Sequence, residues 1–227
     1  MVLASKRIGD TTVEVRDRGG FREMVACEGG EELVWTRASL RDPSESGWPY
    51  VELFHVAAIQ AKARRRALFV GCGGAVAVRQ FAKIYPGLAI DLVEREPQVI
   101  ELARTWYDLD QIPGLSVHLA DGAAFVKQAP PSSWDVAVID AFDGSDPTAA
   151  LSQGSFFAAL GRALQPGGTS AVNVIGTLDG RGSVPELIRQ LKSTFSRVRV
   201  VPVMGADEDY LPSTLRNVVL IASKGGG

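Results

Sequence analysis

The chain has 227 residues, of which 46% are hydrophobic, enough to bury the core of one substantial domain with a small appendage. Its 24 basic and 26 acidic residues leave a formal net charge of −2, so the charge balance does not favour nucleic acid as a partner. The two cysteines, Cys27 and Cys72, are too few for a disulfide framework and favour a reducing, cytoplasmic setting. The longest apolar run, 67–78, is too short to span a bilayer, and we expect no membrane association.

The first part of the chain predicts a small antiparallel sheet. Three extended segments, 11–16, 21–27 and 31–37, are separated by the glycine turns at 19–20 and 29–30. A sheet this thin is not stable alone. We therefore expect it to pack on the main domain or on a second subunit, which suggests a homodimer. We place the boundary between this β-domain, 1–48, and a catalytic domain, 49–224.

Strands and helices alternate through the rest of the chain. A helix over 50–62, opened by Pro49, should bury Val51, Phe54, Ala58 and Ile59. The remaining apolar segments predict strands at 67–70, 88–93, 115–119, 134–139, 169–175, 198–203 and 217–222. Helices are predicted between them at 75–84, 97–107, 122–128, 150–164 and 184–196.

This alternation predicts an α/β fold with a mostly parallel, doubly wound, seven-stranded sheet. No helix separates the last two predicted strands, so they should pair as an antiparallel hairpin at one end of the sheet. A seven-stranded sheet that ends in a reversed hairpin is the architecture of class I S-adenosylmethionine methyltransferases and their relatives.

A glycine turn at 71–74 joins the first strand of this sheet to the following helix. Glycines such as Gly71, Gly73 and Gly74 let the backbone pass close to a ligand, and the helix N-terminus presents free N–H groups at the same place. Glu94 follows the next strand, about 20 residues further on, where a carboxylate can accept both hydroxyls of a ribose. The pattern predicts a nucleoside site, although a glycine-rich turn is also a common way to turn the chain tightly.

Two more acids follow later strands of the same sheet. Asp121, with Gly122 beside it, suits the exocyclic amine of an adenine, and Asp140 lies where the reacting end of the ligand would be. The carboxyl ends of parallel strands share one edge, so Glu94, Asp121 and Asp140 should converge there. Any one of them alone could be an ordinary loop carboxylate, but their recurrence after successive strands favours a shared site.

Asp140, Asp143 and Asp146 crowd into seven positions of one loop. Like charges so close are better tolerated beside a cation, which could be a sulfonium, an ammonium or a metal. Because no histidine or cysteine cluster accompanies the loop, we expect no metal site. Asp146, before a proline, is also a typical turn former.

The chain resembles the spermidine synthase (polyamine aminopropyltransferase) family over nearly its whole length. The segments that carry the resemblance occur in the family's order and read LFVGCGG, IDLVEREPQVIELAR, HLADGAAFV, WDVAVIDAFD and LQPGG. The Tyr-x-Glu at Tyr50 and Glu52 is similar to the motif before the glycine loop. The resemblance implies a donor that is S-adenosylmethionine or its decarboxylated form, with no metal, and an amine or other small nucleophile as acceptor.

The resemblance also implies roles for individual residues. Asp140 and Asp143 match the family's catalytic loop, in which the second acid positions and deprotonates the amine and the first lies near the donor's aminopropyl end. Tyr50, assisting Asp143, and Tyr210 correspond to tyrosines that contact the amine.

Two departures bear on the transferred group and the acceptor. Gly74 stands where the family has an aspartate that binds the donor's amino group, and Trp35 stands near the place of a glutamine. The leading hypothesis is alkyl transfer from a sulfonium nucleoside to an amine. A small-molecule methyltransferase and a nucleoside-binding protein without catalysis are the alternatives.

Overall fold

The computed structural model describes residues 1–143, 146–147, 149–205 and 211–225, and of Asp143, Asp146 and Pro147 it describes the backbone alone. The described chain contains a four-stranded sheet, a seven-stranded sheet and a two-stranded ladder.

The N-terminal sheet is an antiparallel meander of four strands in chain order. Its strands are β1 Val2–Ile8, β2 Thr11–Arg18, β3 Phe21–Glu28 and β4 Glu31–Ser39. The last three were predicted. β1 was missed because its residues, VLASKRI, are mostly half-buried or exposed and do not show a clear apolar alternation.

The larger sheet forms from seven strands that alternate with helices. Its strands are β5 Arg66–Val70, β6 Ala89–Glu94, β7 Leu115–Leu119, β8 Trp134–Ile139, β11 Leu164–Gly176, β12 Arg197–Pro202 and β13 Arg216–Ser223. The separate two-stranded ladder, which falls between β8 and β11 in the sequence, consists of β9 Phe142–Asp143 and β10 Asp146–Pro147. The helices are α1 Pro49–Gln60, α2 Val76–Ile84, α3 Pro97–Trp106, α4 Gly122–Gln128, α5 Gly154–Ala163 and α6 Ser183–Lys192.

The strand order is β12-β13-β11-β8-β5-β6-β7. The five strands from β11 to β7 are parallel, and β13 runs antiparallel to both of its neighbours. The predicted fold class is confirmed, including the terminal antiparallel hairpin. β13 inserts between β12 and β11, so β12 forms the edge.

Two local expectations were wrong. Ile59 is 70% exposed, because α1 buries the side that carries Val51, Phe54 and Ala58, and a residue directly after Ala58 points about 100° away from it. The single helix expected over 150–164 is instead a short 3₁₀ helix, Ala149–Ser152, followed by α5, and β11 begins already at Leu164.

Helices cover both faces of the large sheet. The first three helices lie on one face, and α4, α5 and α6 lie on the other. Side chains from the N-terminal sheet, including Val13, Val15 and Met24, are fully buried in the same core cluster as Phe54 of α1 and Leu102 of α3. The N-terminal sheet therefore packs against the helices on that face of the main sheet. In the described ranges, no helix has the length and apolar character needed to cross a bilayer.

Candidate active site

A cavity of about 810 Å³ opens at the carboxyl ends of the parallel strands. Ligands of open α/β sheets bind at this edge, and the volume is in the range of small-molecule sites. Tips of β5, β6 and β8 line one side, and residues of the N-terminal sheet and α1 line the other. Of the predicted site residues, the lining includes Tyr50, Gly71, Gly73, Glu94, Asp121, Gly122 and Asp140.

The glycine corner brings the backbone of β5 against the chain that leaves β8. Gly71 has φ +99°, and a Cβ there would lie 2.2 Å from the carbonyl oxygen of Asp140. Only glycine fits such a position. Gly73, with φ +46°, lines the same corner. The corner is thereby open to a ligand without obstruction by its own side chains.

Gly74 does not line the cavity. A Cβ at Gly74 would lie 2.6 Å from ring carbons of Tyr107 and 2.9 Å from Cγ2 of Thr36. Tyr107 is itself buried, at 4% exposure, so the ring has little room to move. The expected contact between Gly74 and the donor is therefore not part of this arrangement, and the family's aspartate would not fit here.

Glu94 ends β6 with its carboxylate held by the backbone. Oε2 accepts a hydrogen bond from the Cys72 N–H at 3.0 Å, and Oε1 accepts one from the Glu96 N–H at 2.9 Å. Burial raises the pKa of Glu94, and these backbone N–H groups oppose the rise. The carboxylate is oriented before any ligand arrives, and each oxygen retains a further lone pair for a ribose hydroxyl.

Asp121 is the N-cap of α4. Its Oδ1 accepts a hydrogen bond from the Ala124 N–H at 2.8 Å. Gly122 follows it and packs tightly, since a Cβ there would lie 2.5 Å from Cγ1 of Val70. The cap therefore fixes a carboxylate at the rim of the cavity.

Asp140 directly follows β8, and its carboxyl is largely removed from water. Asn173 of β11 donates a hydrogen bond from Nδ2 to Oδ1 of Asp140 at 2.9 Å. Burial raises the pKa of Asp140 to about 6, and the Asn173 hydrogen bond opposes that rise. A carboxyl with such a pKa exchanges a proton readily near neutral pH.

Asn173 also lines the cavity and was missed in the sequence. Its Oδ1 is buried and has no hydrogen-bond partner in the described part of the chain. A buried acceptor without a partner beside Asp140 suits an N–H group of a ligand. The available signal is a single amide within the apolar segment AVNVI of β11, and the apolar residues around it predict only a strand.

Tyr50 lies at the start of α1 and lines the same cavity as Asp140. Its ring stacks on Trp48, with centroids 5.8 Å apart, and meets Phe54 edge-on at 5.7 Å. Burial, together with the charge of Asp140, raises the pKa of Tyr50 well above its usual range. The phenol therefore stays protonated and acts as a hydrogen-bonding group rather than as a base.

Glu52 does not line the cavity. It accepts a hydrogen bond from Nε2 of Gln80 at 2.6 Å, and Oε1 of Gln80 lies 3.3 Å from Nε2 of His55. This chain of contacts ties α1 to α2. The position of Glu52 fits a role in packing these helices together better than a direct contact with substrate.

Two predicted residues fall on parts of the chain whose side chains are not described. The backbone of Asp143 pairs with that of Asp146 across β9 and β10, but its side chain lies outside the described residues, as does the whole of Tyr210. Within the described residues, no group of three or more potential ligands lies together in a way that could hold a metal ion.

The fold and the cavity together define a doubly wound α/β protein whose candidate ligand site, at the carboxyl ends of the parallel strands, is lined on one side by the N-terminal sheet and α1. Comparison with known proteins gives the family. The model of the spermine/spermidine synthase domain matches residues 50–204, more than half of the chain. The chain therefore belongs to the spermine/spermidine synthase family.

Individual relatives agree with this assignment. The polyamine aminopropyltransferase of Nitrosomonas europaea is 30% identical over 163 residues, which cover 67% of this chain and 50% of the relative. Putrescine N-methyltransferase 1 of Nicotiana tabacum is 29% identical over 136 residues, which cover 57% of this chain and 36% of the relative. The chain thus spans half or less of the length of these curated relatives.

Solved structures share the fold. A probable spermidine synthase from Corynebacterium glutamicum superposes with a TM-score of 0.83 at 20% identity, covering 97% of this chain and 79% of that one. A spermidine synthase in complex with the transition state analogue AdoDATO superposes with a TM-score of 0.74 at 20% identity, covering 100% of this chain and 74% of that one.

Proposed function

We propose that the protein transfers an aminopropyl group from decarboxylated S-adenosylmethionine to the nitrogen of an amine. The observation that carries this proposal is the convergence of Glu94, Asp121 and Asp140 on one cavity beside an open glycine corner. Membership of the spermine/spermidine synthase family supports the same reaction.

The nucleoside end of the donor fits the fixed carboxylates. Glu94, already oriented by two backbone N–H groups, would accept the ribose hydroxyls. Asp121, fixed as a helix cap, would accept from the adenine amine with its remaining lone pairs. Gly71 and Gly73 leave room for the donor to lie against the backbone.

In the transfer step, the lone pair of the amine attacks the carbon bound to the sulfonium. A C–N bond forms while the C–S bond breaks, and its electron pair returns to sulfur as a neutral thioether. Holding the nitrogen in line with that carbon can supply about 7–11 kcal/mol of the barrier. The nitrogen must also lose a proton, because an ammonium has no lone pair.

We assign proton removal to Asp143, with Tyr50 as a hydrogen-bonding partner of the amine. Asp140, paired with Asn173, would sit against the cationic ends of donor and acceptor. The protonated Tyr50 supports this division, because its oxygen accepts an N–H bond without competing for the proton.

The experiment that tests the proposal supplies donor and amine together and follows release of methylthioadenosine by mass spectrometry. Asp143→Asn should lower turnover by about 10²-fold or more. Asp146→Asn, which removes a charge from the same loop, is the matched control and should have a smaller effect. Full turnover in Asp143→Asn would refute the role of Asp143.

A second candidate is methyl transfer from S-adenosylmethionine itself. The packing of Tyr107 and Thr36 against Gly74 favours it, because no carboxylate at residue 74 can hold the amino group of an aminopropyl donor. The likeness to a putrescine N-methyltransferase points the same way. The same assay separates the candidates, since methyl transfer releases S-adenosylhomocysteine and aminopropyl transfer releases methylthioadenosine.

A third outcome is nucleoside binding without turnover on any amine, which would indicate a sensor or an assembly partner. We further propose that the protein acts in the cytoplasm as a homodimer. Free Cys27 and Cys72 support a reducing setting. The thin N-terminal sheet supports a partner subunit, and light scattering coupled to size exclusion would test the dimer.

A further inference from the structure

A second cleft opens at the edge of the large sheet opposite to the candidate active site. It lies where α1 and β13 end and where β11 and β12 begin, whereas Asp140 follows the other end of β8. Its volume of about 440 Å³ is in the range of small-molecule sites. Among the described residues, this cleft and the active-site cavity share no lining residue, so the cleft is a separate site.

The lining of the second cleft carries positive charge from three elements. Its charged side chains, which define the basic cleft, are Lys62, Arg197, Arg199 and Lys224. No acidic residue occurs in the part of the lining that the structure describes, and none of the four forms an ion pair there. Exposed cations elsewhere in the chain do find acids, since Lys83 pairs with Asp42 at 2.6 Å.

Two adjacent glycines position the lysines of the basic cleft. The Lys62 N–H donates to the carbonyl oxygen of Gly167 at 3.2 Å, and the Lys224 N–H donates to that of Gly168 at 2.9 Å. The stem of Lys62 lies over Gly167, where a Cβ would be 2.5 Å from Cδ of Lys62. Nζ of Lys224 donates to the carbonyl oxygen of Leu164 at 2.6 Å, which leaves two of its N–H groups for a ligand.

The two arginines of the basic cleft come from one strand. Arg197 and Arg199 are two residues apart on β12, so their side chains point to the same face of the sheet. Arg199 pairs with Ile221, which is buried in the core cluster that contains α1 side chains. Both arginines therefore lie on the face that α1 covers, beside the end of that helix.

Charges on an edge strand also prevent pairing with another sheet. That role accounts for Arg197 and Arg199, because β12 is an edge strand, but not for the two lysines that join them from other elements. Burial lowers the pKa of Lys224, and no described carboxylate opposes this change. Like charges gathered in this way repel one another and are better tolerated beside an anion.

The acids of the segment 206–210 lie outside the described residues. In the sequence this segment follows Pro202, which ends β12 about 17 Å from Arg197. The chain therefore enters the acid-rich segment from the end of β12 that is remote from the basic cleft.

We propose that the basic cleft binds a small molecule that carries two or more phosphate groups. The guanidinium fork of an arginine matches the oxygens of a phosphate, and a lysine ammonium adds a point charge. Four charges around about 440 Å³ suit a short anion, while a net charge of −2 gives no general attraction for nucleic acid. The inference does not depend on the reaction proposed for the active site.

The test titrates the full chain with inorganic triphosphate by calorimetry at about 0.15 M salt, where exposed charges are screened beyond about 8 Å. We expect one triphosphate to bind per chain, about tenfold or more tightly than orthophosphate, because it forms more charge-assisted hydrogen bonds. Saturation with methylthioadenosine should leave the dissociation constant of triphosphate unchanged, since the two sites are separate.

Arg199→Gln should weaken triphosphate binding by about tenfold or more, and Arg199→Lys, which keeps the charge, should retain part of the affinity. Arg199 is exposed, so neither change disturbs the core. Lys127→Gln is the matched control, because Lys127 is exposed in α4 on the other face of the sheet and does not line the basic cleft. It should leave the affinity unchanged.

Several results would overturn the inference. Absence of binding, or equal weakening in Arg199→Gln and Lys127→Gln, would show only a general attraction between surface charges. Competition with methylthioadenosine would place the anion in the active-site cavity instead. Tighter binding of citrate would indicate a polycarboxylate, and tighter binding of a mixed-sequence oligonucleotide would indicate a nucleic-acid surface.

Discussion

Asp140 combines a buried position with a charge that the proposed chemistry uses, and this combination has a cost in stability. The pKa of Asp140 is about 6 in the folded protein, against about 3.9 for an aspartate in an unfolded chain. Between these values the unfolded state releases its proton while the folded state keeps it. Ionisation of Asp140 therefore destabilises the fold, with no effect below about pH 4 and the full effect above about pH 6.

Asp140→Asn should accordingly raise the free energy of unfolding at pH 7.5 by roughly 2–3 kcal/mol, because the amide avoids burying a charge. The gain should shrink as the pH falls through 6 and be lost near pH 4. Urea unfolding of both proteins at pH 4 and pH 7.5 measures it. Asp10→Asn removes a charge from a side chain that is 97% exposed and should give no such pH-dependent gain. A gain of equal size at both pH values would contradict this origin.

A substitution at Gly74 tests whether the glycine loop can change its present packing. Gly74→Asp would restore the acid of the family pattern but would press Cβ against Tyr107 and Thr36. We expect a loss of about 1–3 kcal/mol in the free energy of unfolding, measured in urea, and no gain in affinity for the decarboxylated donor. Gly225→Asp, where a Cβ meets only ordinary contacts at 3.7 Å, is the control. Unchanged stability with tighter donor binding would show that the loop rearranges easily.

The sequence allowed the acids of the site to be predicted because each one follows an apolar strand directly. That placement alone brings Glu94, Asp121 and Asp140 to one edge of a parallel sheet. Asn173 could not be predicted in the same way, because it lies within a strand. It reaches Asp140 only because β11 pairs with β8, and the sequence does not show that pairing. The packing of Tyr107 against Gly74 joins two elements, and no local pattern indicates it.

At the scale of the element, Asp121 has two roles: it is the N-cap of α4, and it is a proposed contact of the nucleoside. Asp121→Ala should cost about 1 kcal/mol of stability, because the Ala124 N–H loses its acceptor. Asp121→Asn should retain the cap, since Asn is as good an N-cap as Asp. Both variants should bind methylthioadenosine about tenfold more weakly, because the charged acceptor is lost. Thermal unfolding and calorimetry measure the two effects separately. Equal nucleoside affinity in the wild type and Asp121→Asn would remove Asp121 from the nucleoside site.

Strand existence was more predictable than strand pairing. The terminal hairpin follows from the lack of a helix before β13, whereas its insertion beside β11 depends on tertiary packing. A β-bulge in β4 at Trp35 depends on the register between β3 and β4, which apolar alternation does not specify to one residue. The sequence therefore indicated that Trp35 departs from the family pattern but not that the side chain faces the ligand cavity.

At the scale of the molecule, the proposed division at residue 48 separates two units that share a core. Val13, Val15 and Met24 of the N-terminal sheet are buried together with side chains of α1 and α3. Without the main domain, a four-stranded sheet has nothing against which to bury the apolar face that carries these residues. The two units are therefore expected to unfold together.

We predict a single calorimetric transition for the whole chain, with equal calorimetric and van't Hoff enthalpies. Methylthioadenosine at 100 times its dissociation constant should add about 2.7 kcal/mol, which raises the midpoint of that one transition by roughly 5–11 °C. A chain of residues 49–225 alone should lack a cooperative transition, because it exposes the apolar face that Val13, Val15 and Met24 cover. Deletion of residues 1–8 alone is the control and should lower the midpoint but keep the transition cooperative, since β1 is an edge strand of half-buried residues. Two separate transitions in the intact chain, with only the second shifted by methylthioadenosine, would show that the N-terminal sheet folds independently of the site it covers.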